Sequence, residues 1–220
     1  MKWYLDFGHG GKDPGAIGPT SLKESDIALK IGMMVKETLE NSFEKVITTR
    51  EDDTYYSLDY RTKKANSENC DYFISIHLNS ATNKSAKGCE VWLYNENSKL
   101  QNLANNLCTN LSTKLNTPNR GIKYAKKLAV LKNTNMPALI IEIDFISNSE
   151  VENKLRDNKY LKDISDTISS TLLNFVNKSI VDDKISYRVC IGAFNSKDNA
   201  IKLKNEAILK GFKDAYIISN

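Results

Sequence analysis

Short apolar runs that alternate with helical stripes are the feature that most constrains how this 220-residue chain can fold. Apolar runs typical of buried strands occur at residues 3–7, 46–49, 72–76, 91–94, 128–131 and 138–143. Most of these runs are separated by stretches in which apolar residues recur at three- and four-residue spacing, as on a core-facing helix. This alternation predicts an α/β fold with a mostly parallel sheet that is flanked by helices.

Three helical stripes and one shorter helical stretch are predicted. The first helix should begin near Ser21, and the shorter stretch covers residues 58–67. The stripes comprise Ile27, Ile31, Met34, Val35 and Leu39; then Leu100, Leu103, Leu107, Leu111 and Leu115; and finally Leu161, Ile164, Ile168, Leu172 and Phe175. We interpret the leucine stripe as part of the core rather than as a surface for a partner.

The segment 177–186 is polar and lacks periodicity, so it is predicted to be a linker. It separates a domain at residues 1–176 from a small unit at residues 187–220, which is predicted as a strand at 187–194, a helix at 197–210 and a strand at 215–218. Such a short unit buries too little apolar surface to be stable alone. It should therefore dock on the larger domain or on a second copy of itself.

Composition and charge disfavour several classes of protein. No window is apolar enough for a spanning helix, so a membrane protein is not expected. The net charge is +4, and its mild excess in the last residues falls short of the dense clusters of nucleic-acid binders. The four cysteines form no C-x-x-C pair and are predicted to be buried, reduced thiols: Cys70, Cys89, Cys108 and Cys190.

Only two histidines occur, His9 and His77, and each follows a predicted strand. Functional sites of open α/β sheets form beyond the carboxyl ends of the strands, so both imidazoles should reach one rim. Glycines on each side of His9 let the backbone approach a ligand closely. A catalytic zinc ion commonly takes two histidines and a carboxylate and keeps one position open for water.

Two glutamates are candidates to complete such a site. Glu24 lies near the start of the first predicted helix, where it could be the third zinc ligand or could merely complement the helix dipole. Glu142 interrupts the most apolar strand, so it should either face a metal and water as a general base or form an internal ion pair. The motifs H-E-x-x-H, G-x-S-x-G, Walker A and G-x-G-x-x-G are absent. The residues alone indicate a possible zinc hydrolase.

Several short sequence motifs, which occur in the same order as in the family, resemble those of the zinc N-acetylmuramoyl-L-alanine amidases of the amidase-3 family. They are DFGHGGKDPGA at 6–16, Thr49-Arg50 with Asp52-Asp53, Arg61, SIHLN at 75–79, Arg120-Gly121, Val130-Leu131 and EIDFISN at 142–148. The resemblance covers residues 1 to about 176. One departure is Phe7, which stands where the family often has proline or alanine, and it should affect packing more than chemistry.

The resemblance implies a function, a metal site and a refined fold. It implies cleavage of the amide between N-acetylmuramic acid and L-alanine of the peptidoglycan stem peptide. It implies Zn²⁺ held by His9, Glu24 and His77, with Glu142 as the catalytic carboxylate, and it transfers no role to Asn79 or Arg61. It also implies a mixed, six-stranded sheet, which tempers the expectation of a mostly parallel one.

The tail at 187–220 resembles one half of a SPOR repeat, a peptidoglycan-binding module. Because a whole module contains two such β-α-β halves, we predict that two chains pair through their tails into a homodimer. The N-terminus shows no secretory signal, so we expect synthesis in the cytoplasm and action on the bacterial cell wall after release. A phage endolysin, slightly favoured, and a mother-cell autolysin of sporulation both fit.

Three competing functions remain open from the sequence. A zinc peptidase that cuts within the stem peptide would share the metal site. A non-catalytic wall-binding protein would have a structural zinc site without an open position, and Glu142 argues against it. Nucleic-acid binding through the basic tail would leave both histidines unexplained.

Overall fold

Six strands form one mixed sheet in the computed structural model, which describes residues 1–182, 191–212 and 215–217. The strands are β1 (Lys2–Phe7), β2 (Lys45–Thr48), β3 (Tyr72–Asn79), β4 (Cys89–Leu93), β5 (Asn119–Tyr124) and β6 (Ala138–Phe145). Their order is β2-β1-β3-β6-β4-β5. Only the β4–β6 pair is antiparallel among these strands. The mixed, mostly parallel, six-stranded sheet that was expected is confirmed.

Helices cover both faces of this sheet. They are α1 (Glu24–Asn41), α2 (Leu58–Ser67), α3 (Gln101–Leu115), α4 (Ala129–Lys132), α5 (Ser149–Lys154) and α6 (Asn158–Asp182). The larger core lies on one face, where α1, α3 and α6 contribute their apolar stripes, and the whole leucine stripe is buried there as predicted. The smaller core on the other face contains residues of α2 and α4, including Ala65 and Val130.

Successive side chains of a strand point to opposite faces of the sheet, so the core that a residue joins shows which face it is on. In β6, Ile141 and Ile143 join the larger core, whereas Ile140 belongs to the smaller core on the opposite face. Glu142 therefore points to the face that carries α2 and α4. Asp6 in β1 and His77 in β3 lie on that same face by the same alternation. The carboxyl ends of three neighbouring strands thus bring polar side chains together.

Several predicted elements differ in the structure. Residues 128–131 do not form a strand, because α4 turns the adjacent Val130 and Leu131 toward one core instead of to opposite faces. Strand β5 was not predicted because it is an edge strand without a fully buried residue or an apolar run. Helix α5 was not predicted either, and α1 begins at Glu24 rather than near Ser21. His77 lies inside β3, two residues before its end.

The chain divides into two compact units, Met1–Ser179 and Ile180–Asn220. Helix α6 continues to Asp182, so the first part of the predicted linker at 177–186 is helical. In the second unit, α7 (Lys197–Leu209) confirms the predicted helix. The flanking predictions of strands are wrong for residues 191–194 and 215–217, while residues 187–190 and 218 lie outside the described part. Within the described ranges, every helix is too short or too polar to span a bilayer.

The cysteines agree with the expectation where they are described. Cys70, Cys89 and Cys108 are buried free thiols, and Cys190 lies outside the described residues. Phe7, the departure from the family pattern, is fully buried in the larger core. A Cβ atom at Gly32 of α1 would lie 2.2 Å from the Phe7 ring, so this glycine accommodates the larger side chain. Phe7 therefore affects packing, as expected.

Candidate metal centre

The loop that follows β1 presents His9 at the carboxyl edge of the sheet. His9 adopts a left-handed backbone conformation with φ of 61°, which is uncommon for a residue other than glycine. The preceding Gly8 is needed for space, because a Cβ atom there would lie 2.4 Å from the His77 ring. Nδ1 of His9 lies 2.9 Å from Oδ2 of Asp13, which orients the ring and turns Nε2 toward Glu24.

Glu24 is the first residue of α1, and its carboxylate is almost fully buried. Oε1 lies 2.8 Å from Nδ1 of His77 and 3.2 Å from Nε2 of His9. The backbone amides of Ala16 and Leu78 donate hydrogen bonds to Oε2 and Oε1 at 2.8 and 3.1 Å. The carboxylate is therefore held rigidly between both histidines, so its position is not explained by the helix dipole alone.

These three side chains form a cluster that suits a metal ion. One ligand atom from each of His9, Glu24 and His77 lies within 4.8 Å of the others. Two ligands of a tetrahedral zinc ion are roughly 3.3 Å apart, given bond lengths near 2.0 Å. Two imidazoles and a carboxylate also match the donors that catalytic zinc prefers. The structure thus brings together all three residues that the sequence nominated as ligands.

The charges of the cluster are coupled. Burial raises the pKa of Glu24, but the hydrogen bonds with His77 and His9 outweigh it and hold the pKa well below its usual range. Burial lowers the pKa of His77, but the contact with Glu24 outweighs this effect and raises the pKa to about 9. Metal binding would replace these protons, because zinc requires neutral imidazole.

Glu142 lies beside the cluster and lines the same cavity. Its Oε2 atom is buried and has no hydrogen-bond partner among the described residues. Burial raises the pKa of the Glu142 carboxyl to about 7, despite the opposing charge of His77. No described cation forms an ion pair with Glu142, which disfavours the interpretation that it belongs to an internal pair. A carboxyl with a pKa near neutrality can both accept and donate a proton.

Two buried arginines hold the backbone of the His9 loop, and sequence reasoning gave neither a role. Arg61 donates hydrogen bonds to Oδ1 of Asp6 at 2.7 Å and to the carbonyl of His9 at 2.7 Å. Arg50 donates to the carbonyl of Gly8 at 2.8 Å and to that of Ser25 at 2.7 Å. The one available signal was the position of Asp6, a carboxylate within an apolar strand, which requires a cationic partner.

A cavity of about 620 Å³ opens above the cluster. Its floor contains the three candidate ligands and Glu142. The surrounding walls include Tyr55, Tyr56, Trp92 and Leu128. A pocket of this size with aromatic walls and convergent polar groups is typical of a substrate site.

Comparison with known proteins identifies the family. The model of the Amidase_3 family, described as N-acetylmuramoyl-L-alanine amidase, matches residues 4–174. The chain belongs to this family. The amidase is 31% identical to the sporulation-specific N-acetylmuramoyl-L-alanine amidase of Bacillus subtilis over 100% of this chain and 86% of the relative. It is 34% identical to the endolysin of Bacillus phage SPP1 over 79% of this chain and 65% of that protein.

A solved structure agrees with the sequence comparisons. The N-acetylmuramoyl-L-alanine amidase from Clostridium difficile 630 superposes with a TM-score of 0.75 at 32% identity, over 84% of this amidase and 98% of that chain. The family, the fold and the relatives agree on one activity. The protein is a peptidoglycan hydrolase that cleaves the amide between N-acetylmuramic acid and L-alanine.

Proposed function

We propose that this amidase is a zinc enzyme in which His9, Glu24 and His77 hold the metal and Glu142 is the catalytic carboxylate. The observation that carries the proposal is the convergence of three ligand side chains beside a carboxyl whose buried Oε2 atom has no hydrogen-bond partner among the described residues. A metal-binding donor set next to a free base is what hydrolysis of an amide requires. A purely structural zinc site has no use for such a carboxyl.

When bound, zinc would supply a Lewis acid that polarises the scissile carbonyl and lowers the pKa of water. Glu142 accepts the proton of the attacking water and then delivers it to the leaving amine. Its Oε2 atom is buried and unpaired among the described residues, so this oxygen is free to take up and release the proton. Asp13 keeps the His9 ring in one orientation, and the amides of Ala16 and Leu78 fix Glu24.

The test is digestion of purified peptidoglycan with and without a chelator, followed by identification of the new chemical ends. We expect new alanine amino groups and no new reducing sugars, with activity lost on chelation and restored by zinc. New ends within the stem peptide would instead make the protein a zinc peptidase. The absence of any new ends would support a wall-binding protein, and activity that survives complete chelation would remove the metal from the mechanism.

We also propose that the tail at 187–220 is a half SPOR-like unit that pairs with the tail of a second chain. Several apolar side chains of the described tail are exposed, and a second copy would cover them: Ile191, Phe194, Leu209 and Phe212. Light scattering at micromolar protein should give a dimer, and Leu209→Glu should shift it to a monomer. A monomeric wild type would contradict the pairing. Binding of glycan strands stripped of their peptides tests the wall-binding role separately.

For the biological setting, we propose that the enzyme is a sporulation autolysin, which acts on the wall after release from the mother cell. The alignment with the sporulation-specific relative includes the tail, whereas the endolysin aligns over a smaller share of this chain. Deletion of the gene should block release of the mature spore. Loss of phage-induced lysis without a sporulation defect would favour the endolysin setting.

A further inference from the structure

The cavity above the metal cluster has two chemically different walls. One wall is built by the segment between β2 and α2, which contributes Tyr55 and Tyr56, and by Leu58, the first residue of α2. We call these three residues the tyrosine wall. The other wall comes from β4 and the start of α4 and contributes Trp92, Leu128 and Val130. We call it the tryptophan wall.

On the floor of the cavity, the candidate ligands and Glu142 lie toward different walls. The sheet order β2-β1-β3-β6-β4-β5 places the loop after β1 and strand β3 next to the β2 side. His9 and His77 therefore lie toward the tyrosine wall. Glu142 lies on β6, which pairs with β4, and therefore lies toward the tryptophan wall. A substrate that crosses the floor meets the candidate ligands and the catalytic carboxyl on different sides.

The two sides of the cleaved amide also differ, and each side fits one side of the cavity floor. Its carbonyl carbon belongs to the lactyl group on the muramyl sugar, and its nitrogen belongs to the first alanine of the peptide. The carbonyl must face the metal ligands, whereas the nitrogen must face Glu142, because Glu142 returns the proton to the leaving amine. This step rests on the proposed zinc mechanism.

We propose that the tyrosine wall is the subsite for the N-acetylmuramic acid ring, and that the stem peptide leaves along the tryptophan wall. The C–H groups of a pyranose face carry positive potential and pack against the negative face of an aromatic ring. Tyr55 lines the cavity and is 39% exposed, and Nζ of Lys12 lies 4.6 Å from the centre of its ring, so the part of the ring that Lys12 leaves uncovered is available to the sugar.

The tyrosine wall is fixed relative to the metal cluster. A Cβ atom at Gly11 would lie 2.9 Å from the backbone nitrogen of Tyr55, so this segment packs directly on the His9 loop. Arg61 donates to the carbonyl of Tyr56 at 3.0 Å and to that of His9 at 2.7 Å, which joins the two segments through one guanidinium. The ring of Tyr56 also stacks on Tyr60 at 4.4 Å. Preorganised aromatic rings of this kind lose little entropy on binding.

The experiment compares two soluble substrates that differ only in the sugar. One is a disaccharide-tripeptide, and the other is the corresponding lactoyl-tripeptide, which has the same amide but no glycan. We expect Tyr55→Ala to raise KM for the disaccharide substrate about tenfold with little change in kcat, and to leave hydrolysis of the lactoyl substrate unchanged. Tyr55→Phe, which keeps the ring, should restore the wild-type KM.

A control and a direct binding measurement make the outcome decisive. Phe43 is an almost fully exposed aromatic residue before β2, at the amino end of the strands, so Phe43→Ala should change neither substrate. Saturation-transfer NMR with the disaccharide product should show contacts with wild type that weaken in Tyr55→Ala. Equal losses on both substrates, or unchanged kinetics on both, would overturn the sugar subsite. Failure of wild type on both substrates would instead overturn the proposed amidase mechanism.

Discussion

His77 and Glu142 lie opposite each other on the neighbouring parallel strands β3 and β6. A candidate metal ligand and the candidate base are therefore held by the ladder of one sheet rather than by separate loops. Side chains on rigid strands keep a fixed separation, which proton transfer requires. The buried Glu142 carboxyl, with its pKa of about 7, is the least satisfied polar group of this arrangement.

Replacement of Glu142 by glutamine should separate chemistry from metal binding. Glu142→Gln keeps the shape of the side chain and removes the base, so hydrolysis should fall by about 10²- to 10⁴-fold. Zinc content, measured by metal analysis after gel filtration, should remain one ion per chain. The exposed Glu150→Gln is the matched control and should retain full activity. Wild-type turnover by Glu142→Gln would remove this carboxyl from the mechanism.

Removal of a metal ligand should behave differently from removal of the base. His9→Ala should lose zinc together with activity, whereas its fold should persist because His9 lies in a loop at the edge of the sheet. Circular dichroism and metal analysis of the same sample measure the two properties. If His9→Ala binds zinc as tightly as wild type, His9 is not a ligand.

Asp13 should matter through the ring that it orients. Asp13→Ala removes the carboxylate that lies 2.9 Å from Nδ1 of His9, so zinc affinity should fall by about 10- to 100-fold. Competition with a chromogenic chelator measures this affinity. Asp59→Ala, which removes an exposed carboxylate of α2, should leave it unchanged. An unaltered affinity in Asp13→Ala would show that the contact is not needed to hold the ring.

The part of the site that the sequence could predict depends on local signals. Both histidines follow or end apolar runs, and the carboxyl ends of neighbouring strands meet at one edge. A charge such as Glu142 within an apolar strand also stands out by itself. Five of the six strands, the candidate ligands and the candidate catalytic carboxyl were therefore accessible before the structure.

The remaining parts depend on contacts between distant segments. Arg61 reaches Asp6 and His9 from more than fifty residues away, and Glu152 reaches Thr20 across 132 residues. No periodicity in the sequence encodes such pairs. Helix α4 was mistaken for a strand because four apolar residues fit either element, and only packing against α2 and β6 decides between them.

Arg61 should be a large contributor to stability because it neutralises a buried carboxylate. Arg61→Met leaves Asp6 buried and without its cationic partner, so the free energy of unfolding should fall by about 3–5 kcal/mol. Addition of Asp6→Asn should recover part of this loss, and urea denaturation measures both. Lys63→Met, which breaks an exposed pair with Asp59, should change stability by less than about 0.5 kcal/mol. A similarly small effect of Arg61→Met would contradict the role of the buried pair.

Glu152 should make stability depend on pH through the segment that leads to Glu24. The fully buried carboxylate accepts hydrogen bonds from the amides of Thr20 and Leu22 at 2.9 and 3.1 Å. Burial raises the pKa of Glu152, but these hydrogen bonds outweigh it and lower the pKa below the ordinary value of 4.5. A lowered pKa in the folded state stabilises the protein above pH 4.5, and this contribution disappears as the pH falls through the folded-state pKa.

Glu152→Gln should therefore destabilise the protein by about 1–3 kcal/mol near neutral pH, where the charged hydrogen bonds are lost. As the pH falls below 4.5 and through the lowered folded-state pKa, the Glu152 carboxylate of wild type also becomes protonated and the difference should shrink. Urea denaturation of both proteins at neutral pH and at a series of acidic pH values measures the effect. Glu150→Gln, on the exposed side of the same helix, should show a smaller difference at every pH, because exposed ion pairs contribute little to stability. A difference for Glu152→Gln that grows toward low pH would mean that the folded state raises this pKa instead of lowering it.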